Sequence, residues 1–294
     1  MVYIQSKIWY NYIMIILDYS AIAIAGIITQ RMNIDETLIR HMILNSIRMY
    51  NKKYRDKYGQ MILACDNSSW RKEVFPEYKH NRRKGREESS MDWTHIFDII
   101  TRVREEIKEN MPYMVIHEQR CEADDIIGTL VHNTQEFGQH EDVMIVSADH
   151  DFKQLQRFKN VSQFSPMTKK LVVEQNPRVY LMEHILKGDA GDGVPNVLSA
   201  DDTFVKGERQ SPMTRKKMDA IIEDLEEGEL LYAASWYRNY CRNKQVIDLN
   251  ETPDDLKRNI INTYSNYKIP NKSKVLNYLI QKRCKLLIES IEDF

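Results

Sequence analysis

The chain has 294 residues, 42% of them hydrophobic and 29% charged, so it can bury one large core, with or without an appended lobe. Its 42 Lys and Arg residues nearly balance its 43 Asp and Glu residues, so net charge indicates no partner, and any such signal must come from local clusters. Four cysteines without C-x-x-C spacing argue against a zinc ribbon or a disulfide framework. No run reaches the roughly 18 apolar residues of a membrane span. We therefore expect a cytoplasmic protein with no membrane partner.

Short apolar runs alternate with helical patterns in the first half of the chain. The runs are rich in Ile, Val and Met, as in strands covered on both faces, and span 12–18, 61–66, 113–118 and 142–149. Helical spacing fills 36–58, 91–110 and 122–137, with Gly59 and Gly138 placed as helix stops. A turn between two extended stretches follows at 164–173. The alternation predicts an α/β domain over 1–178, with a mostly parallel central sheet flanked by helices.

The second half has a different pattern. Strand signals disappear from about residue 179, and helical patterns dominate as far as the last residues. We therefore expect a helical C-terminal domain over 179–294. Between the helical patterns at 36–58 and 91–110, the segment 79–90 is polar throughout and strongly basic, so we expect it to be flexible without a ligand.

Acidic side chains follow the predicted strands. Three strands end on acids, the remaining strand leads to an acidic helix start, and a further acidic pair lies in a glycine-rich loop. These acids are Asp18, Asp66, Asp149 with Asp151, then Glu122, Asp124 and Asp125, and finally Asp189 and Asp192. Each alone could be an ordinary helix cap or turn residue. Because the carboxyl ends of parallel strands meet at one edge of the sheet, we expect these acids to converge there.

Converging carboxylates repel one another unless they are protonated or neutralised by cations. Oxygen ligands without His or Cys clusters suit Mg²⁺ or Mn²⁺ and disfavour zinc. Enough acids are present for two ions about 4 Å apart, which is the arrangement used for in-line displacement at a phosphodiester. His150, between two acids, is expected to be structural or solvent-facing rather than a ligand.

Cationic residues that could contact nucleic acid fall into two groups. The basic segment could thread a phosphate backbone or be a merely solvated loop, and the later group, at a helix start, could grip duplex phosphates. Tyr78 could stack on an unpaired base or belong to the core. The cations are Lys79, Arg82, Arg83, Lys84 and Arg86 in the first group, and Arg215, Lys216 and Lys217 in the second.

The order of these motifs resembles the flap endonuclease or 5′-nuclease superfamily, whose catalytic domain is PIN-like, and most closely its ribonuclease H branch in T-even bacteriophages. Asp18, Asp66, "YKHNR", "CEADD", "SADHD" and "KGDAGDGVP" carry the resemblance, which covers nearly the whole chain. It implies a site for two Mg²⁺ ions, at which Mn²⁺ would substitute. Asp125 would support the ligands without touching an ion. Lys79 would polarise the scissile phosphate, with Arg82 near the base of a basic arch at about 71–92. The first ion would lie among Asp18, Asp66, Glu122, Asp124 and Asp149, and the second among Asp149, Asp151, Asp189 and Asp192.

The resemblance also implies an activity. The chain would be a monomeric 5′ to 3′ nuclease that removes RNA primers from RNA:DNA hybrids, and 5′ DNA ends or flaps, during DNA replication. Its partners would be forked or flapped duplexes, a single-strand binding protein and a sliding clamp, in the host-cell cytoplasm. The glycine-rich hairpin element that usually follows the second acidic pair is absent here, so the grip on duplex would rest on Lys206, Arg209 and the 215–217 cluster.

Three alternatives remain. A non-catalytic DNA-binding protein of the same fold would be expected to lose some of the acids. A PIN-type ribonuclease shares the acidic sheet edge but not the helical second half. An aspartyl-phosphate phosphatase requires Thr at the position where Lys153 stands.

Overall fold

Six strands form one sheet in the described part of the computed structural model, which comprises residues 14–29, 35–135, 140–228, 231 and 234–294. Their order across the sheet is β3-β2-β1-β4-β5-β6. The first five run parallel, and β6 is antiparallel to β5. The predicted α/β fold with a mostly parallel sheet is therefore confirmed. The strands are β1 (Met14–Asp18), β2 (Gln60–Ala64), β3 (Met114–Ile116), β4 (Val143–Val146), β5 (Val161–Ser165) and β6 (Lys170–Val172).

The α-helices of the described residues cover both faces of this sheet and make up most of the second half. They are α1 (Tyr19–Thr29), α2 (Glu36–Tyr58), α3 (Arg71–Val74), α4 (His80–Glu87), α5 (Trp93–Asn110), α6 (Ala123–Asn133), α7 (Pro177–Lys187), α8 (Arg215–Glu227), α9 (Tyr237–Ile247), α10 (Asp254–Asn266), α11 (Lys274–Gln281) and α12 (Lys285–Ile288). Short 3-10 helices span Asp151–Arg157, Leu249–Glu251 and Ile291–Asp293.

Local signals place several of these boundaries. Helix α2 has the predicted bounds because Asp35 caps its first turn through the N–H of Leu38, at 2.7 Å. Gly59 ends it with a backbone φ of 64°, a conformation that glycine adopts without strain. The predicted turn at 164–173 is the antiparallel connection between β5 and β6. Gly138 lies outside the described residues.

The basic segment is largely helical, because residues 80–87 form α4. Its start is fixed because the backbone N–H of Lys79 donates to the carbonyl of Asp192 at 2.7 Å. Near its end, Lys84 and Glu88 form an i,i+4 ion pair at 4.0 Å, the spacing that supports a helix. High local charge is therefore compatible with a helix here, and the expected flexibility of the segment without a ligand stays a prediction.

The core lies on both faces of the sheet because alternate strand residues point to opposite sides. Ile15 and Leu17 of β1 pack with residues of α2, α5 and α11, whereas Met14 and Ile16 pack with residues of α6 and α10. The end of the chain thus contributes to the same cores as the sheet, and Phe294 is 3% exposed. The domain boundary at 178/179 stays a prediction. None of the described helices combines the length and apolar character needed to span a membrane.

Candidate active site

Neighbouring strands bring the first acids to one edge of the sheet. β1 lies between β2 and β4, and the three strands run parallel, so their carboxyl ends are adjacent. Asp18 is the last residue of β1, and the Ser147 hydroxyl after β4 donates to its Oδ2 at 3.0 Å. The same Ser147 oxygen accepts the backbone N–H of Asp149 at 3.1 Å. The Ser147 hydroxyl therefore connects Asp18 to the backbone of Asp149.

The start of α6 joins this edge. Asp66, just beyond β2, accepts the backbone N–H of Ala123 at 2.8 Å. Glu122 is the N-cap of α6, and its own backbone N–H donates to Asp125 at 2.8 Å, which completes a capping box. The helix N-terminus thus brings Glu122 and Asp124 next to Asp66 and stabilises negative charge there.

The loop after α7 supplies the remaining acids. Gly188 ends α7 with φ 68°, and Asp189 and Val194 form an isolated antiparallel bridge that closes the loop. The N–H of Asp192 donates to Asp189 at 3.1 Å. Since the Asp192 carbonyl accepts from Lys79 at 2.7 Å, the loop is attached to the start of α4. Asp151 joins the edge because its N–H donates to Asp149 at 2.9 Å, and Asp124 interacts electrostatically with Asp149, Glu122 and Asp151, so all eight expected metal ligands lie at this edge.

Burial, together with mutual repulsion, raises the pKa values of several of these groups. Burial, followed by the charge of Asp66, raises the pKa of Asp18 to about 7. Burial and the neighbouring Asp151 raise the pKa of Asp149 to about 6. Burial and Asp149 likewise raise the pKa of Asp124 well above its usual value. A bound cation would relieve this repulsion.

Protein cations balance part of the charge. Lys79 Nζ lies 2.5 Å from Glu122 Oε1 and 3.4 Å from Asp192 Oδ2, and Arg82 also pairs with Asp192. Burial opposes ionisation of Glu122, but the charges of Lys79 and Arg71 outweigh it and lower its pKa to about 2. Lys79 itself has φ 60°, a left-handed conformation that is uncommon outside glycine and tends to occur at functional sites.

Arg71 is a site residue that the sequence reasoning missed. Its side chain is 2% exposed, and its Nη1 lies 3.2 Å from Glu122 Oε2 and 3.0 Å from Asp125 Oδ2. Its Nε donates to the carbonyl of Val246, at the end of α9, at 2.8 Å. Asp125 also accepts from Trp70 Nε1 at 3.0 Å, which agrees with a supporting role. The only sequence signal for Arg71 was its place next to the basic segment.

His184 is the second missed residue. Its Nε2 lies 2.9 Å from Asp151 Oδ1 and 3.7 Å from Asp189 Oδ2. Burial opposes its protonation, but contact with Asp151 outweighs this and raises the pKa of His184. A histidine five residues before Asp189 was visible in the sequence, although nothing there indicated that it faces the acids. His150, in contrast, is exposed, in line with its expected non-ligand role.

The residues expected to contact nucleic acid differ in exposure. Tyr78 is 3% exposed, so stacking on a base was the wrong interpretation and the core alternative is correct. Its hydroxyl lies 2.8 Å from Asp192 Oδ2 and 3.1 Å from Glu122 Oε2. Lys84 and Arg86 are exposed on α4, and the side chain of Arg83 lies outside the described structure.

The later cations are all exposed, and the last three form the first turn of α8: Lys206, Arg209, Arg215, Lys216 and Lys217. Lys206 pairs with Asp202 at 2.7 Å. Arg215 pairs with Asp219 at 2.8 Å and with Glu183, the neighbour of His184 on α7, at 2.6 Å. This surface is therefore attached to the helix that carries His184, and part of its charge is neutralised.

The donor set fits divalent metal ions. It consists of carboxylate oxygens, several of them buried with raised pKa values, together with one imidazole nitrogen. Among the described residues, this buried nitrogen, His184 Nε2, has no hydrogen-bond partner of acceptable geometry. Six other buried side-chain atoms of the described residues share this property, so it is the position of Nε2 beside Asp151 and Asp189 that indicates an ion ligand. The acidic edge can therefore bind metal.

Family comparisons agree with this geometry. Residues 16–182 match the family described as 5′-3′ exonuclease, N-terminal resolvase-like domain, and residues 175–294 match T4 RNase H, C terminal. Ribonuclease H of Enterobacteria phage T4 is 36% identical over 291 residues, which cover 95% of each chain. The exonuclease of Escherichia phage T7 is 28% identical over 174 residues, 58% of this chain and 54% of that one.

Solved structures show the same fold. The 5′-exonuclease of phage T5 with bound zinc superposes with a TM-score of 0.60 at 16% identity, covering 92% of this chain and 98% of that one. A phage T5 flap endonuclease in a pseudo-enzyme-product complex with DNA and metal ions gives a TM-score of 0.58, also at 16% identity, covering 94% and 98%. The mainly parallel sheet with its acidic edge, together with these family matches, identifies the chain as a nuclease. The chain belongs to the 5′-3′ exonuclease family, in the group represented by ribonuclease H of phage T4.

Proposed function

We propose that this nuclease depends on Mg²⁺ and removes RNA primers from RNA:DNA hybrids, and 5′ DNA ends or flaps, during DNA replication. The observation that carries the proposal is the convergence of eight acids at one sheet edge, with Lys79 and Arg82 directly beside them. A phosphodiester is anionic, so a site that cleaves it needs both a way to neutralise the carboxylates and cations that face the phosphate. At this edge the acids could bind metal ions that neutralise them, and Lys79 and Arg82 could face the phosphate.

Two groups of acids would hold two ions. Asp18, Asp66, Glu122, Asp124 and Asp149 would form the first position, and Asp149, Asp151, Asp189 and Asp192 the second. When bound, divalent ions neutralise the carboxylates and act as Lewis acids at the phosphodiester. The nature and number of the ions are part of the proposal.

Lys79 and Arg82 would orient the scissile phosphate. Lys79 bridges Glu122 and Asp192, from opposite sides of the site, and burial leaves its side chain 17% exposed. Its charge would stabilise the negative charge that develops on the phosphate oxygens. Arg82, 46% exposed, lies nearer to solvent and could meet the same phosphate group on entry. The left-handed backbone of Lys79 and its bond to Asp192 keep both cations over the acids.

The exposed cations suggest the path of the nucleic acid. Arg82, Lys84 and Arg86 lie on α4 beside the site, where a single-stranded 5′ end could follow them. The group from Lys206 to Lys217 could hold the phosphates of the adjoining duplex. A relative described as a ribonuclease H, and another as a flap endonuclease, support hybrid and flap substrates. We propose a monomer that meets a single-strand binding protein and a sliding clamp at the replication fork.

The test is cleavage of labelled substrates by the full chain. An RNA primer annealed to DNA, and a 5′ flap, should be shortened from the 5′ end with Mg²⁺ and left intact with EDTA. Asp124→Asn removes one charge at the centre of the acids and should lower the rate by about 100-fold or more. Metal-independent cleavage, or full activity of Asp124→Asn, would sink the proposal.

Asp56→Asn is the matched control. Asp56 lies near the end of α2, just before β2 begins, so it is at the opposite edge of the sheet, and its side chain is 98% exposed. This variant should keep wild-type rates. A chain that binds flapped DNA tightly but cleaves neither substrate would instead support the non-catalytic alternative, and cleavage of single-stranded RNA alone would support a PIN-type ribonuclease.

A further inference from the structure

Three ligand atoms at the proposed second ion position include a nitrogen. His184 Nε2 lies 2.9 Å from Asp151 Oδ1 and 3.7 Å from Asp189 Oδ2. One donor atom from each of the three residues lies within 4.8 Å of the others. Donors about 2.1 Å from one octahedral ion are about 3 Å apart when adjacent and about 4.2 Å apart when opposite. The two distances from Nε2, 2.9 and 3.7 Å, are close to those between ligands of a single ion, and the group as a whole is compact enough to hold one.

The imidazole is oriented towards this position. Its ring stacks on Tyr180, with centroids 5.7 Å apart and planes at 19°, and Lys153 Nζ lies 4.8 Å from the centroid of the Tyr180 ring. The His184 side chain is 17% exposed, and among the described residues its buried Nε2 lacks a hydrogen-bond partner of good geometry, although Asp151 is close. Nε2 and Asp151 Oδ1 attract each other directly, and a distance of 2.9 Å is also short enough for both atoms to bind one ion.

We propose that His184 is a ligand of the second ion, together with Asp151 and Asp189, and that it makes this position selective for Mn²⁺ over Mg²⁺. Imidazole suits first-row transition metals, whereas Mg²⁺ prefers oxygen ligands alone. The first position, lined by carboxylates, keeps the preference for Mg²⁺. This inference rests on the proposed function, because it concerns one of the two ion positions of the same site.

Electron paramagnetic resonance of Mn²⁺ bound to the tag-free, full-length chain tests the inference. With Mg²⁺ in excess, wild type should retain one Mn²⁺ whose spin-echo modulation contains a nitrogen coupling. His184→Gln should lose the nitrogen coupling and bind Mn²⁺ about 10-fold or more weakly, while its affinity for Mg²⁺ changes by less than about threefold. Circular dichroism checks that the variant is folded.

Two further variants sharpen the result. His150→Gln changes the exposed histidine between Asp149 and Asp151 and should keep the nitrogen coupling. His184→Asp supplies an oxygen in place of the nitrogen, so it should bind an ion without nitrogen coupling and prefer Mg²⁺. This variant tests selectivity even where His184→Gln is unstable.

The possible outcomes separate the two proposals. Wild type that binds Mn²⁺ without a nitrogen coupling, or a coupling lost in His150→Gln and kept in His184→Gln, overturns the role of His184 and leaves the proposed function intact. A chain that binds neither Mn²⁺ nor Mg²⁺ overturns both.

Discussion

Arg71 connects the acids of the site to the interior of the protein. It contacts Glu122, Asp125 and the carbonyl of Val246 while almost fully buried. Arg71→Met would leave a buried carboxylate, Asp125, without its cation, and such losses cost about 3–5 kcal/mol. We therefore expect urea unfolding of this variant to show a free energy of unfolding lower by about 3 kcal/mol.

Arg102→Met is the control for Arg71. Arg102 pairs with Glu36 at 2.9 Å, but its side chain is 48% exposed, so water screens the interaction. Its removal should cost less than about 1 kcal/mol. Equal losses for the two variants would contradict the role given to Arg71.

Lys79 is expected to act on the reaction more than on binding. Lys79→Met removes the cation between Glu122 and Asp192, so single-turnover cleavage of a flap substrate should slow by about 100-fold or more. The dissociation constant for the same DNA, measured with Ca²⁺ in place of Mg²⁺, should rise by less than about fivefold because the exposed cations of α4 remain. Lys79→Arg should recover part of the rate, and a variant that loses affinity but not rate would refute this assignment.

At the scale of elements, the loop after α7 depends on a glycine. Gly188 has φ 68°, and a Cβ there would lie 2.3 Å from the carbonyl oxygen of Val194 and 2.5 Å from that of Pro195. Gly188→Ala must shift this backbone, which carries Asp189 and Asp192. We expect thermal unfolding to show a loss of about 2–4 kcal/mol, and cleavage to fall with it.

Gly85→Ala is the matched substitution. Gly85 lies inside α4, and nothing comes within 4 Å of an added Cβ. Alanine favours a helix interior over glycine by about 1 kcal/mol, so this variant should be neutral or slightly more stable. If Gly188→Ala and Gly85→Ala change the free energy of unfolding equally, the close backbone approach at Gly188 does not determine the stability of that loop.

The same elements show how far sequence reasoning reached. β1, β2 and β4 were predictable because strands buried on both faces are continuously apolar, and their terminal acids followed from the rule for parallel sheets. Arg71 and His184 were not, because each is defined by contacts between segments more than 30 residues apart in sequence. Helix α4 was missed because its helical ion pair and its bond to Asp192 are not signalled by composition.

At the scale of the whole molecule, the end of the chain stabilises the sheet that carries the site. Val275 and Leu279 of α11 belong to one core cluster, and Leu256 and Ile260 of α10 belong to the other. Asp293 accepts from Arg48 of α2 at 2.6 Å. Helices from the second half therefore complete both cores of the sheet, while Leu186, Val197, Met218, Ile221 and Trp236 form a separate core cluster within the second half.

Stability should fall in mild acid because of His132, which lies on α6 near Arg157 of a 3-10 helix and Lys257 of α10. Burial, and then the charges of Arg157 and Lys257, lower the pKa of His132 from 6.5 to about 4. Its neutral ring lies between α6 and the 3-10 helix at Asp151–Arg157, with Arg157 Nη2 2.7 Å from Nε2. Between pH 6.5 and pH 4 the unfolded chain binds a proton at this residue and the folded chain does not, so unfolding is favoured as the pH falls.

The expected loss attributable to His132 is on the order of 3 kcal/mol, starting near its unfolded pKa and complete near its folded one. Because carboxylates add their own pH dependence, the informative quantity is the difference between wild type and His132→Gln, whose side chain can still accept from Arg157 but does not titrate. Urea unfolding at pH 7.5 and at pH 4.5 should show a smaller loss for the variant. Parallel pH profiles would mean that His132 is protonated in the folded protein, and that the cations Arg157 and Lys257 do not exclude its charge from this junction.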